Sequence, residues 1–219
     1  MPVVGDELAA RVASWIDRQA ADRVSVAIDG PDAAGKSTLG DRVSGHVARP
    51  CIRASLDDFH RPSAERRARG ELSPDGFYHD AFVTGLLEPM KAGSEKVCVR
   101  SYDLDREKPE RRLATVPTTA ALVVDGLFML RQRLRESWDA SVYLHVPESV
   151  TLRRAVRRDA RRFGSEQNVV RRYTARFLPA QAVYCRDADP VSAASLVVDN
   201  SDPDRPLVLR DPRGMLAAD

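Results

Sequence analysis

Residues 24–38 read VSVAIDGPDAAGKST, and this stretch decides the fold. Its first five residues are a short, nearly continuous apolar run rich in β-branched side chains, as expected of a strand covered on both faces. The run ends at Asp29, and Gly30, Asp32, Ala33, Ala34, Gly35, Lys36, Ser37 and Thr38 then follow the pattern G-x-x-x-x-G-K-[ST]. Two glycines at that spacing let the backbone curl until successive N–H groups point inward, at the positive end of a helix starting near Lys36. Such a loop cradles phosphate oxygens. The Lys36 ammonium would reach the outer phosphates of a nucleotide, and the Ser37 hydroxyl would ligate Mg²⁺.

Working outward, the same kind of run recurs at 51–56, 97–102, 120–124, 142–146 and 196–198. Helical spacing fills about 37–48, 80–91, 148–163 and 166–185, and Leu8, Val12, Trp15 and Ile16 predict a first helix ending near Asp22. Strands alternating with helices predict a three-layer α/β fold, a mostly parallel sheet flanked by helices, of the P-loop NTPase kind. Residues 1–219 read as one domain, with 61–79 as a charged, Pro- and Gly-containing loop or short helix at the sheet edge. No repeat or long linker divides the chain.

Composition removes other classes. The 34 basic and 32 acidic residues nearly cancel, so no whole-molecule field draws the protein to nucleic acid or a membrane. Three widely spaced cysteines, Cys51, Cys98 and Cys185, suit neither a disulfide scaffold nor a zinc ribbon and fit a reducing cytoplasm. The first residues lack the basic and apolar regions of a secretion signal, and no run is long enough to span a bilayer. There is no Asn-Lys-x-Asp or Asp-x-x-Gly, so a regulatory GTPase is not expected.

Other carboxylates supply chemistry beside the cradle. Asp125 ends the run at 120–124, where an open α/β sheet places its ligands, and is a candidate metal ligand. Asp57 follows the run at 51–56 and is the candidate base for an acceptor hydroxyl; strand alternation would turn Asp58 away. Arginines crowd 153–176, either as a lid delivering guanidinium groups to a phosphoryl or as a solvated face. RNA binding would need interleaved aromatics, which are missing.

GPDAAGKST, SLDDFH (55–60), DAF (80–82), SYD (101–103), VVDG (123–126), LRRAVRRD (152–159) and DN (199–200) together resemble the uridine kinase family and its phosphoribulokinase and pantothenate kinase relatives. The resemblance implies an ATP-dependent kinase of a small-molecule hydroxyl, most simply the 5′ hydroxyl of a pyrimidine nucleoside, with another alcohol as the alternative. It implies that Asp57 is base and metal ligand, that Ser37 and Asp125 complete the Mg²⁺ shell, and that Arg158 acts on the phosphoryl from a lid at about 150–176. It puts Arg154 and Asn200 on the nucleotide, with 200–205 at its base, and His60, Asp80, Tyr102 and Asp103 at the acceptor. It is compatible with a homo-oligomer, though nothing in the sequence fixes an interface.

The chain departs from the family pattern in the acceptor region. His60 stands where Tyr is usual, Asp125 where Glu is usual, and Phe77, Tyr78, His79 and Asp80 where the family has Asp-His-Pro-Asp, with Asp75 upstream. Glu107 falls where a base-contacting His is expected. An ionised Glu only accepts hydrogen bonds, which predicts that cytidine serves at least as well as uridine.

Overall fold

The computed structural model describes residues 5–69, 78 and 80–217. Strands β1 (Arg23–Asp29), β2 (Cys51–Ser55), β5 (Ala120–Asp125), β6 (Ala140–His145) and β7 (Leu196–Asp199) run parallel, and β8 (Leu207–Arg210) closes the edge antiparallel to β7. The order is β2-β5-β1-β6-β7-β8. All six residues of β5 are buried. Leu122 and Val124 face one core, while Ala121 and Val123 face the other. That period-2 division of apolar side chains between two faces makes this a three-layer molecule.

One core packs under α1 (Gly5–Asp17) and α2 (Lys36–His46), through Leu8, Val12, Ile16, Leu39 and Val43. The other lies under 82–90 and α6 (Leu178–Ala188), through Phe82, Leu86, Met90, Ala180 and Tyr184. Each large apolar side chain fully buried there stabilises the fold by about 1.5–3 kcal/mol. Helix α1 stops at Asp17, short of the expected Asp22, and Arg49 takes the Asp17 carbonyl of its last turn and the Gln19 carbonyl beyond it at 3.0 and 2.9 Å.

The run at 97–102 does form a strand, but not in the central sheet. β3 (Lys96–Asp103) pairs antiparallel with β4 (Lys108–Thr115) in a separate hairpin. Within 61–79, Ser63–Arg69 is helix α3; 70–77 and His79, and with them Asp75 and Phe77, lie outside the described residues. The helical stretch at 148–163 is α4 (Glu148–Phe163). That at 166–185 is α5 (Glu166–Arg172), a π turn (Tyr173–Phe177) and then α6. Gly164, at φ 84°, and Ser165, whose hydroxyl accepts from Asn168 N at 3.2 Å, turn α4 into α5. Among the described residues no helix is long and apolar enough to cross a membrane.

Register aligns the chemistry. Ile28 of β1 and Ser55 of β2 both face Asp125 of β5, so the loops after all three strands emerge side by side at the carboxyl edge.

Candidate active site

The cradle needs its glycines. Gly30 has φ 147°, and a Cβ there would lie 2.4 Å from the Leu144 carbonyl oxygen; Gly35 has φ 94°, and a Cβ would lie 2.8 Å from Asn200 Nδ2. Neither position admits a side chain. Ala33 is also left-handed, at φ 53°. Its loop is held from outside: Asn200 Nδ2 donates to Ala34 O at 2.6 Å, and Arg154 donates to Ala33 O at 3.3 Å, Asn200 O at 2.8 Å and Ser201 O at 3.1 Å. Arg154 and Asn200 thus latch the loop to the end of β7. Lys36, almost wholly buried, donates across the loop to Pro31 O at 2.7 Å.

Ser37 Oγ donates to Asp125 Oδ2 at 2.7 Å, joining the cradle to the end of β5. A hydroxyl and a carboxylate so close, with phosphates and water to fill the remaining positions, are the donor set Mg²⁺ accepts. The sequence reading missed Arg53, whose Nη2 sits 2.5 Å from Asp125 Oδ1 and whose Nε lies 3.0 Å from Asp41. A charged residue inside the otherwise small and apolar run at 51–55 was the signal for it. Asp29, fully buried at the end of β1, accepts from Gly30 N at 2.7 Å, Leu130 N at 3.2 Å and the Tyr184 hydroxyl. Burial raises its carboxyl above the ordinary value despite those bonds.

Asp57 and Asp58 lie not on a strand but on a 3-10 turn, Leu56–Phe59, so alternation does not govern them. They still diverge. Asp58 pairs with Arg100 Nε on the hairpin at 2.7 Å. Asp57 faces the cavities, 3.4 Å from His60 Nε2. Surrounding protein raises its carboxyl, but the His60 hydrogen bond and the charges of His60, Lys36 and Arg158 outweigh this and hold it below the ordinary value.

Three cavities adjoin. One of about 380 Å³ runs along Asp32, Ala33, Ala34, Gly35, Lys36, Ser37 and Thr38 to Asp125. A second, of about 250 Å³, continues past Thr38 to Asn200, Pro203 and Asp204, where a nucleotide base would be expected. The third, of about 310 Å³, contains His60, Tyr78, Glu107, Phe128 and Tyr173. Asp32, Asp57, Leu127 and Arg158 line both the first and the third. Arg158 is fixed there by Asp159 at 2.8 and 2.9 Å and the Tyr173 hydroxyl at 3.0 Å, with Asp32 at 3.7 Å. Burial raises the Asp32 carboxyl, against the pull of Lys36 and Arg158.

Not every sequence-predicted acceptor residue arrives. Asp80 turns to Arg61 at 3.2 Å and Arg133 at 3.4 Å, and Asp103 caps the hairpin turn by accepting from Asp105 N and Arg106 N at 3.0 and 2.9 Å. Neither is among the described lining residues. Tyr102 is buried behind the wall, its hydroxyl 3.5 Å from Glu107. Glu107 does line the cavity, but Arg66 meets it at 3.6 Å, which blunts the base discrimination expected of a bare carboxylate. Arg162, Arg172 and Arg176, grouped in sequence with a solvated helix face, line the cavity instead. Tyr173 and Tyr184, both buried, use their hydroxyls on Asp159 and Asp29.

No protein-family model matches the chain. In sequence it is similar to the uridine kinase of Vibrio vulnificus (strain YJ016), 26% identical over 164 residues that cover 68% of this chain and 75% of that protein. A Bacillus stearothermophilus structure described as a possible uridine kinase superposes with a TM-score of 0.67 at 20% identity, over 87% of this chain and 98% of that one. A Silicibacter sp. TM1040 protein provisionally named a fructose transport system kinase superposes at 0.71 with 23% identity, over 85% and 96%. The resemblance to the uridine kinase group read from the motifs is therefore present in both sequence and fold.

Proposed function

We propose that the chain is an ATP- and Mg²⁺-dependent phosphotransferase whose acceptor is a hydroxyl of a small molecule, within a single kinase domain and a cytoplasmic setting. The observation that carries this reading is the shared wall. Asp57 and Arg158 face both the phosphate cradle and the neighbouring cavity, so a hydroxyl in one is beside a phosphoryl in the other. When bound, ATP supplies the phosphoryl group and Mg²⁺ the charge that stabilises the leaving oxygens.

The chain's own groups do the rest. The loop N–H groups and Lys36 hold the phosphates, and Ser37 and Asp125 would hold the cation. Asp57 receives the acceptor proton at a carboxylate oxygen. Its lowered pKa makes it a weak base, which suffices where phosphoryl transfer is loose and the hydroxyl proton leaves late. Arg158 presents a guanidinium to charge spread over the transferring group, and closure of α4 and α5 excludes water.

The family resemblance favours a pyrimidine nucleoside as acceptor. A different alcohol is favoured by the positions of Asp80 and Asp103, which are engaged away from the cavity, and by the arginines that border it. Acceptor-dependent ADP release with Mg·ATP tests the kinase reading. It should appear with the natural chain and fall about a hundredfold or more in Lys36→Ala, which loses the cradle's ammonium. Equal release by both proteins would refute it.

A further inference from the structure

We infer that the acceptor carries an anionic group, a carboxylate or a phosphate, which docks on Arg66, Arg162 and Arg172 while its hydroxyl meets Asp57. The inference rests on the kinase reading above and specifies its substrate class.

The acceptor cavity is electrically polar. The end it shares with the phosphate cradle carries Asp32 and Asp57, with Arg158 tied to Asp159. Arg66, Arg162 and Arg172 line the acceptor cavity and not the cradle, so they are not placed to hold nucleotide phosphates. Three different elements bring them there: α3, the end of α4, and α5.

The charges of Arg162 and Arg172 are poorly answered by the protein, whereas Arg66 is held more firmly, 3.6 Å from Glu107 and donating to Arg61 O at 2.8 Å. Arg162 lies 3.7 Å from Asp105, a carboxylate 89% exposed and therefore well screened. Arg172 makes no ion pair among the described residues; its guanidinium stacks 4.6 Å from the centre of the Phe163 ring, which Arg162 also borders at 5.9 Å. A planar guanidinium held against an aromatic wall keeps its N–H fork free for an oxyanion and loses little entropy on binding one. A neutral nucleoside would leave these donors desolvated and mismatched. A molecule with a hydroxyl for Asp57 and an oxyanion for the arginines matches the groups that line the cavity.

The test compares neutral pyrimidine nucleosides, hydroxy acids and phosphorylated polyols as acceptors with Mg·ATP, at low and high salt. At least one anionic class should exceed the nucleosides by about a hundredfold in kcat/KM, the two anionic arms telling carboxylate from phosphate. Arg172→Gln and Arg162→Gln should each raise its KM about tenfold, with a far smaller change in kcat, and the KM should rise with salt. Arg171→Gln is the control, since Arg171 bonds Asn168 outside the cavity. In parallel, with a non-hydrolysable ATP analogue bound, the preferred anion should raise the melting temperature of the natural chain and not of Arg172→Gln. A nucleoside as best acceptor, indifferent to salt and to both variants, or no stabilisation by any anionic compound, would overturn the inference and leave the kinase reading standing. Failure of the analogue itself to bind would overturn the kinase reading.

Discussion

Arg158→Ala separates a guanidinium that acts on the phosphoryl from one that merely holds the helices together. In the structure it is placed for both: its Nε and Nη2 grip Asp159 at 2.8 and 2.9 Å, while the half-exposed side chain borders both cavities. Losing one preorganised charged donor from a transferring group typically costs about 3 kcal/mol of barrier, or roughly a hundredfold in kcat. Losing it from buried Asp159 leaves that carboxylate with the Tyr173 hydroxyl at 3.0 Å and costs on the order of 1–3 kcal/mol of stability. In a chain of this size the second effect lowers Tm by several degrees, about 2–4 °C per kcal/mol. Steady-state kinetics run well below the variant's Tm, with circular dichroism to count folded molecules, keep the two apart. Arg158→Lys should recover part of kcat, because it keeps the charge, and little of Tm, because it lacks the fork. A lowered Tm with kcat within about threefold of the natural chain would refute the role in transfer and leave only the structural one.

Asp57→Asn should lower kcat by about a hundredfold or more while scarcely moving the KM for ATP; Asp58→Asn should cost about 1 kcal/mol or less of stability, through its Arg100 partner, and little activity. The reverse ranking, read from kinetics and melting, would exchange their roles. Asn200→Ala should raise the KM for ATP about tenfold, since Ala34 O loses its 2.6 Å donor and the cradle its latch; an unchanged KM would remove Asn200 from the site. Asp159 gives a pH test: burial raises its carboxyl, but Arg158 and Tyr173 outweigh this and hold it low. A depressed folded value contributes stability above the unfolded carboxylate pKa that is lost as pH falls through the folded one. The Tm gap between the natural chain and Asp159→Asn should therefore narrow on acidification from neutral pH to below 3.8, and a gap that stays constant would contradict the assignment.

The central sheet was legible because buried parallel strands are written as continuous apolar runs, and the cradle because glycine spacing has few other uses. β4 was not legible: KPERRLAT opens with Lys108, Glu110, Arg111 and Arg112 among its first five residues, since a hairpin outside the central sheet leaves most of its second strand exposed. In the turn before it Asp103 caps two N–H groups and Glu107 sits at φ 51°, a local geometry that the SYD motif at 101–103 does not carry. The divergence of Asp57 from Asp58 was foreseen for the wrong reason, a pleat in place of a 3-10 turn. Arg53 on Asp125 and Tyr184 on Asp29 depend on contacts distant in sequence, which local pattern does not encode.

The central claim is that the outer phosphoryl of ATP passes to a hydroxyl and not to water. It is tested most directly by following γ-labelled ATP in a single turnover with the acceptor panel and measuring where the label goes. The account predicts that label appears on an organic phosphate, that its appearance requires the acceptor, and that Asp57→Asn suppresses it. Label released as inorganic phosphate at the same rate with and without every acceptor would contradict the account and identify a hydrolase.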